Sequence, residues 1–250
     1  MIQQEEVSIM KDKSVLITGG SQGIGAGIAK RLSADGYKII VLDIVEPENQ
    51  LQGEYFKVDL TDIEATGRIL KEISIRYSVT RLVNNVGIVK PALLEDTTLE
   101  DFSNVINLNT RTALMCTQAV IPAMRKAHFG RIVSITSRAV LGKELRTAYS
   151  ASKGVLAAMT RTWALELAGD GITVNAVAPG PIETEAFRKN NPAGDPRTKS
   201  ILNSVPVKRL GTTADVAHAV SYFLDERSGF VTGQTLYVCG GITVGFSGAL

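Results

Sequence analysis

The sequence predicts an α/β fold: a doubly wound parallel sheet of about seven strands, with helices on both faces. Three observations predict it. Short β-branched runs alternate with longer stretches of helical period, the order that parallel pairing through right-handed crossovers produces. A glycine cluster lies where the first strand gives way to the first helix. An apolar fraction of 44% with 23 glycines suits an α/β protein with many tight turns.

The elements follow in order. Ser14 to Thr18 reads as a buried strand. Ile24 to Ala34 carries Ile24, Ile28, Ala29 and Leu32 at helical spacing. Lys38 to Leu42 and Glu54 to Val58 are the second and third strands. The connection between them, Ile44 to Gly53, is too short for a crossover helix, so a loop or single turn is expected. Arg68 to Arg76 is helical, Arg81 to Val83 begins the fourth strand, and Leu99 to Lys126 is one long helix. Arg131 to Ile135 is the fifth strand and Tyr149 to Ala168 a second long helix. Ile172 to Val177 is the sixth strand, Ala214 to Leu224 a helix and Thr235 to Val238 the last strand. Residues 1–12 read as an N-terminal tail and 13–250 as one domain, a length that a single core supports. The polar segment from Glu185 to Val205, with Pro192 and Gly194, reads as a lid.

Composition narrows the function. The 27 basic and 25 acidic residues nearly cancel, and no basic run points to nucleic acid. Cys116 and Cys239 stand far apart, which suits a reducing compartment and argues against a disulfide framework. Two histidines, His128 and His218, make no metal site, and both read as surface residues. The start, Met1 to Lys13, lacks the apolar core of a signal peptide, and no apolar run approaches the ~18 residues of a membrane span. The expected location is the cytoplasm, with no membrane partner.

Three motifs carry chemistry. Tyr149 and Lys153 stand one helical turn apart on one face. A phenol ionises near a pKa of about 10, and a neighbouring ammonium favours the phenolate, so the pair suits acid–base work on carbonyls and alcohols. The loop Thr18-Gly19-Gly20-Ser21-Gln22-Gly23-Ile24-Gly25 joins a strand to a helix. Its glycines let the backbone approach a pyrophosphate, and the helix offers its N-terminal N–H groups. Asp43 follows directly on the second strand, 24 residues after Gly19. A carboxylate there accepts from adenosine ribose hydroxyls and repels a 2′-phosphate. Gln22 and Ile44 supply no cation for that phosphate, so NAD is expected over NADP.

Taken together, the loop, Tyr149 and Lys153 resemble the classical short-chain dehydrogenase/reductase (SDR) family, with a Rossmann-type fold, from Lys13 to about Gly241. Thr18-Gly19 through Gly23 and Gly25 is similar to the family's TGxxxGxG, which implies cofactor contacts from Gly19, Ser21, Gln22, Gly23, Ile24 and Gly25. Asp59, followed by Leu60, is similar to the aspartate that contacts adenine. Asn84-Asn85-Val86-Gly87 resembles NNAG, with Val86 in place of alanine, and adds Asn85, Val86 and Gly87 to the cofactor set. Pro179-Gly180-Pro181-Ile182-Glu183-Thr184 resembles the segment that binds the nicotinamide carboxamide, through Pro179, Gly180, Ile182 and Thr184. Val238-Cys239-Gly240-Gly241 departs from VDGG at Cys239.

The resemblance implies a catalytic set of Asn109, Ser137, Tyr149 and Lys153, with Ser137 preceding Tyr149 by 12 residues. In that scheme Tyr149 exchanges the proton and Ser137 holds the reacting oxygen. Lys153 lowers the tyrosine pKa and, with Tyr149, touches the nicotinamide ribose. Asn109 positions a water in a proton relay. The expected activity is NAD-dependent interconversion of a small or cyclic secondary alcohol, or dihydrodiol, and its ketone. Two alternatives stand beside it: a 3-oxoacyl-thioester reductase, and a non-catalytic dinucleotide sensor. Arg138, Lys143, Glu144 and Arg146 lie between Ser137 and Tyr149, where one of the cations is expected to meet a polar or anionic substrate group. The family's assembly through its two long helices implies a homotetramer or homodimer.

Overall fold

A computed structural model describes residues 13–47 and 53–245. Seven strands form one all-parallel sheet in the order β3-β2-β1-β4-β5-β6-β7. They are β1 Ser14–Thr18, β2 Lys38–Asp43, β3 Gly53–Lys57, β4 Arg81–Asn84, β5 Gly130–Ile135, β6 Ile172–Pro179 and β7 Thr235–Val238. Strand order reverses between β1 and β4, so a crevice opens beyond their carboxyl ends, where doubly wound sheets take ligands.

Strand alternation divides the core into two layers. Leu16, Ile40, Leu42, Leu82, Ile132 and Val174 face one side, and Val15, Ile17, Ile39, Val41, Val83 and Val133 face the other. The first side is covered by α2 (Ile63–Arg76), α4 (Thr112–Ala127) and α5 (Thr147–Leu167). The second is covered by α1 (Gly23–Ala34) and α8 (Thr213–Leu224). Both faces are therefore dry, which explains the nearly unbroken apolar runs of the central strands. α1 and α8 pack closely because Gly27 has no side chain: a Cβ there would come within 2.5 Å of Thr213 Cβ.

Three features depart from the sequence pattern. α2 begins at Ile63, not Arg68, because Asp62 caps it by accepting from Ala65 N at 2.9 Å. Its first turn lacks an apolar stripe, and Ile63 is exposed, so periodicity missed it. The long helix from Leu99 is interrupted: α3 (Leu99–Ile106) passes through a π-helical turn at Asn107–Arg111 before α4 resumes. The polar lid holds two short helices, α6 (Glu185–Asn190) and α7 (Pro196–Ser204), capped by Thr184 and Asp195. Of the second connection, residues 44–47 are non-helical and 48–52 lie outside the described residues, as does the expected tail 1–12.

The end of the sheet opposite the crevice is closed by two buried arginines. Arg81, fully buried, donates to Leu224 O and pairs with Glu226 at 3.2 Å. Arg131 donates to the Asp225 and Glu226 carbonyls, and both guanidiniums lie over the Phe129 ring, at 4.7 and 4.3 Å.

Candidate active site

The glycine loop lies where β1 enters α1, and hydrogen bonds fix its shape. Gly19 N donates to Leu42 O at 2.8 Å. Thr18 Oγ1 accepts from Asn85 N and Val86 N, at 3.0 and 3.1 Å. The Asn85 amide returns bonds to the carbonyls of Thr18 and Gly19, at 3.0 and 2.8 Å. The β1 and β4 exits are thus tied together across the switch point. Gly19 sits at φ 66° and Gly23 at φ 53°, the left-handed region that favours glycine. A Cβ on Gly25 would lie 1.9 Å from Gly19 O, so the turn excludes any side chain there.

This cradle fits a dinucleotide. α1 begins with no side-chain cap on Gln22 and no acidic residue in its first turn, which leaves its N–H groups and dipole for an anion. The buried Ser21 hydroxyl meets no hydrogen-bond partner among the described residues. Asp43 Oδ2 accepts from Ser21 N at 3.0 Å and Oδ1 from Val45 N at 3.1 Å, which holds the carboxylate at the end of β2 beside the loop. Ile44 is exposed next to it and offers no charge.

The other expected contacts border the same crevice. Asp59 Oδ1 accepts from Thr61 N and Thr61 Oγ1, at 2.9 and 2.7 Å, a turn that orients the chain after β3, and Leu60 is buried behind it. Gly87 lies against two of the expected catalytic side chains: a Cβ there would fall 3.1 Å from Asn109 Oδ1 and 3.3 Å from Lys153 Nζ. Gly180 packs under Cys239, leaving 2.7 Å between a hypothetical Cβ and Cys239 Cα. Cys239, at the position where VDGG carries its aspartate, is buried and contacts Thr243 Oγ1 at 3.2 Å, so its role here is packing. Ile182 is buried and bridged to Gly211. Thr184 caps α6 and lies 3.7 Å from a Cβ built on Gly23, which brings the segment after β6 back to the phosphate loop.

The four expected catalytic residues converge from three elements. Ser137 follows β5, and its Oγ accepts from Ala139 N at 3.1 Å. Tyr149 and Lys153 stand one turn apart on α5, with Lys153 Nζ 5.8 Å from the Tyr149 ring centroid. Lys153 is 3% exposed, and its Nζ donates to Ile135 O at 2.7 Å. Burial pushes its pKa down to about 8. Asn109 occupies the π-helical turn, and its carboxamide is fully engaged. Oδ1 accepts from Ile88 N at 2.8 Å, and Nδ2 donates to Ile88 O and Ser152 Oγ, at 3.1 and 2.9 Å.

One sequence expectation needs correction. Lys153 was to lower the tyrosine pKa, yet burial raises it above its usual value, with Ser137 hydrogen bonding and the Arg146 charge acting in the opposite direction. Lys153 is itself desolvated and committed to the Ile135 carbonyl. Two residues were not foreseen. Ser152 is fully buried and links Asn109 to the Tyr149 carbonyl, at 2.8 Å, and the Thr18 hydroxyl ties the β4 exit to the loop. Nothing periodic marks Ser152. Its only sequence signal is its place between Tyr149 and Lys153.

The arrangement brings a phenol, a hydroxyl and a lysine to one end of a crevice whose other end suits a pyrophosphate and a ribose. A family model described as enoyl-(acyl carrier protein) reductase matches residues 19–243. The chain is similar to a 3-oxoacyl-(acyl-carrier-protein) reductase, FabG, of Buchnera aphidicola, at 36% identity over 93% of this chain and 98% of the relative. Among solved structures it is similar to ElxO with NADP bound, at 32% identity and TM-score 0.87, covering 94% of this chain and all (100%) of that one. It is also similar to the aldohexose dehydrogenase of Thermoplasma acidophilum, at 30% identity and TM-score 0.88, covering 96% and 97%. With the seven-stranded sheet and the Tyr-x-x-x-Lys helix in place, the chain belongs to the classical short-chain dehydrogenase/reductase family and is an oxidoreductase of that type.

Proposed function

We propose that this chain reduces the 3-oxo group of an acyl compound to the secondary alcohol, and runs the reverse oxidation, with NAD(H) preferred. The observation that carries the reading is the half-buried Tyr149 phenol on α5, with Ser137 beside it and Lys153 beneath. The similarity to 3-oxoacyl reductases supports the acyl substrate. Asp43 supports NAD(H): its carboxylate is held at the end of β2 beside the glycine loop, where it would meet the adenosine ribose, and neither Gln22 nor Ile44 adds a balancing charge.

The cofactor supplies the hydride donor or acceptor at its nicotinamide. The protein does the rest. Tyr149, held protonated by desolvation, donates its proton to the carbonyl oxygen during reduction and takes it back during oxidation. Such general acid–base help contributes ~10²–10⁴-fold. Ser137 donates a hydrogen bond to the same oxygen and fixes its direction. Lys153 presents an ammonium from beneath Tyr149, and its lowered pKa leaves it able to pass a proton near neutral pH. Asn109 is a positioning residue. It fastens the π-helical turn to Ile88 and Ser152, which holds α5 at the right depth beside Gly87.

A second reading is an NAD-dependent dehydrogenase of a small or cyclic secondary alcohol, and Asp43 is the residue that favours it. A panel of 3-oxoacyl thioesters, secondary alcohols and cyclic diols, followed at 340 nm with NAD(H) and NADP(H), decides between them. Thioester reduction with NADH that is lost in Tyr149→Phe supports the proposal. Turnover of cyclic alcohols alone supports the second reading, and NADPH preference refutes the use of Asp43. In solution the chain assembles as a homotetramer or homodimer through the faces of α4 and α5, where Leu165 is 85% exposed although Leu108 and Leu156 are absorbed by the core. A monomeric mass in light scattering would refute this.

A further inference from the structure

The π-helical turn at Asn107–Arg111 touches both ends of the crevice. Each residue of a helix turns the backbone by ~100°, so side chains two apart face different ways. Asn109 faces the catalytic end, where it bonds Ile88 N, Ile88 O and Ser152 Oγ. Ser152 Oγ in turn donates to the Tyr149 carbonyl at 2.8 Å. Arg111, two residues on, faces the adenine end: its Nη2 donates to Thr61 O at 2.7 Å. Thr112, fully buried, donates from Oγ1 to Leu60 O at 3.3 Å.

Thr61 belongs to the turn that carries Asp59, the residue expected against adenine. Its N and Oγ1 both donate to Asp59 Oδ1, and its carbonyl accepts from Arg111. One residue therefore ties the Asp59 carboxylate to the π-helical turn. Arg111 is partly buried, its Nε is buried with no hydrogen-bond partner, and it forms no ion pair among the described residues. A methionine would cover the same surface without stranding a donor, so packing alone does not call for an arginine here.

A π-helical turn holds one residue more than an α-helical one and recurs at functional sites. Here it aims two polar side chains at segments 21 and 50 residues away along the chain, Ile88 from Asn109 and Thr61 from Arg111. The helix continues as α3 before the turn and α4 after it, so the turn is clamped at both ends. A displacement of Thr61 reaches Asn109 within two residues.

We infer that Arg111 is a positioning residue that couples the two ends of the crevice. Adenosine seated against the Asp59–Thr61 turn fixes the π-helical turn, and with it Asn109, Ser152 and the start of α5 where Tyr149 stands. The inference rests on the dinucleotide reading of the crevice and is independent of which carbonyl compound is reduced. Binding energy delivered at the adenine end is then used to hold the phenol for the transition state. Energy used in that way appears in kcat, not in KM alone.

The test splits the cofactor into halves. Acetoacetyl-coenzyme A is reduced with NADH and, separately, with reduced nicotinamide mononucleotide, with and without AMP, for wild type, Arg111→Met and Arg111→Lys. If NADPH proves the better donor, 2′,5′-ADP replaces AMP. Expected for the wild type is a rise of at least ~5-fold in kcat with the mononucleotide when AMP is bound. The rise is absent in Arg111→Met and partly restored in Arg111→Lys, whose ammonium keeps a donor for Thr61 O. With NADH, Arg111→Met lowers kcat by a similar factor. No activation of the wild type by saturating AMP overturns the coupling. So does an Arg111→Met that raises only the KM of NADH, or that slows NADH and the mononucleotide alike, the mark of a merely structural role. A second arm needs no turnover: amide hydrogen exchange over Thr147 to Lys153, with and without the adenosine fragment, alongside calorimetric titration of that fragment. Exchange slowed by the fragment in wild type and unaffected in an Arg111→Met that still binds it supports the inference. Exchange that ignores the bound fragment in wild type overturns it. Binding of neither AMP nor 2′,5′-ADP overturns the dinucleotide reading and the coupling with it. Failure of every reduction with the exchange response intact would retire the acyl-reductase reading and leave the coupling standing.

Discussion

Replacing Lys153 with methionine should make the cofactor-free protein more stable near pH 7 while destroying its activity. The ammonium is 3% exposed and has no carboxylate partner. Burial lowers its pKa from 10.5 to about 8. At about 1.4 kcal/mol per pH unit, that is ~3 kcal/mol against the charged form in the folded state. Methionine fills similar space without the charge, but it strands the Ile135 carbonyl that Nζ now satisfies at 2.7 Å, a loss of ~1–2 kcal/mol. The net gain is ~1–2 kcal/mol, a rise in Tm of about 2–8 °C for a chain of this size. The sign depends on pH. Between about 8 and 10.5 the unfolded chain binds more protons than the folded one, so wild-type stability rises with pH through that window. Near pH 9.5 the wild-type penalty has shrunk to ~1 kcal/mol and the advantage of methionine vanishes. Urea unfolding of both proteins at matched concentration, at pH 7 and near pH 9.5, measures this. A variant less stable than wild type at pH 7, or a difference that ignores pH, would show that the ammonium is not desolvated as its burial implies.

Three further outcomes follow from the same geometry. Asp43→Asn keeps an acceptor for Ser21 N and removes the charge, so the kcat/KM ratio of NADP(H) to NAD(H) should rise ~10-fold or more; an unchanged ratio would remove Asp43 from cofactor choice. Gly25→Ala places a methyl 1.9 Å from Gly19 O and should weaken NADH binding, read by fluorescence titration, at least ~10-fold; normal binding would show that the turn can relax. Arg81→Met empties a fully buried ion-pair and cation–π position at the far end of the sheet, and should lower stability by ~2–3 kcal/mol in urea with kcat unchanged.

The sheet was legible because its physics is local. Val15 to Ile17 and Ile39 to Leu42 are buried on both faces, and a strand so enclosed must read as an apolar run. The glycine loop was legible for a related reason: the turn at Gly19 and the contact of Gly25 with it are steric demands that few residues satisfy. What stayed hidden is set by partners distant in sequence. The π-helical turn at Asn107–Arg111 leaves no trace in periodicity, since Leu108 and Val105 keep their apolar places on either side of the extra residue. It is held by the bonds of Asn109 to Ile88 and Ser152, 21 and 43 residues away. The lid helices were hidden because they bury almost nothing. Thr198 is the one buried residue in the two of them, so they rest on caps at Thr184 and Asp195 and not on an apolar stripe.

The electrostatics of the site were half legible, and the missing half has a mechanistic consequence. Spacing alone places a lysine beside a tyrosine and suggests that one tunes the other. The fold instead desolvates both: it raises the phenol, lowers the ammonium and turns the ammonium toward Ile135 O. A tyrosine whose own neighbours leave it protonated is ready to donate, so in the absence of other charges the site is biased toward reduction. Oxidation needs the phenolate, which the Ser137 hydrogen bond and the Arg146 charge stabilise. An anion seated on Arg146 would cancel that help and hold Tyr149 protonated. An acidic substrate whose charge lies beside Arg146 would therefore favour its own reduction, and the apparent pKa governing oxidation should lie higher with an acidic hydroxy compound than with its ester. Parallel pH profiles of kcat for the 3-hydroxybutyrate acid and its methyl ester measure this, and coincident profiles would uncouple Arg146 from the chemistry.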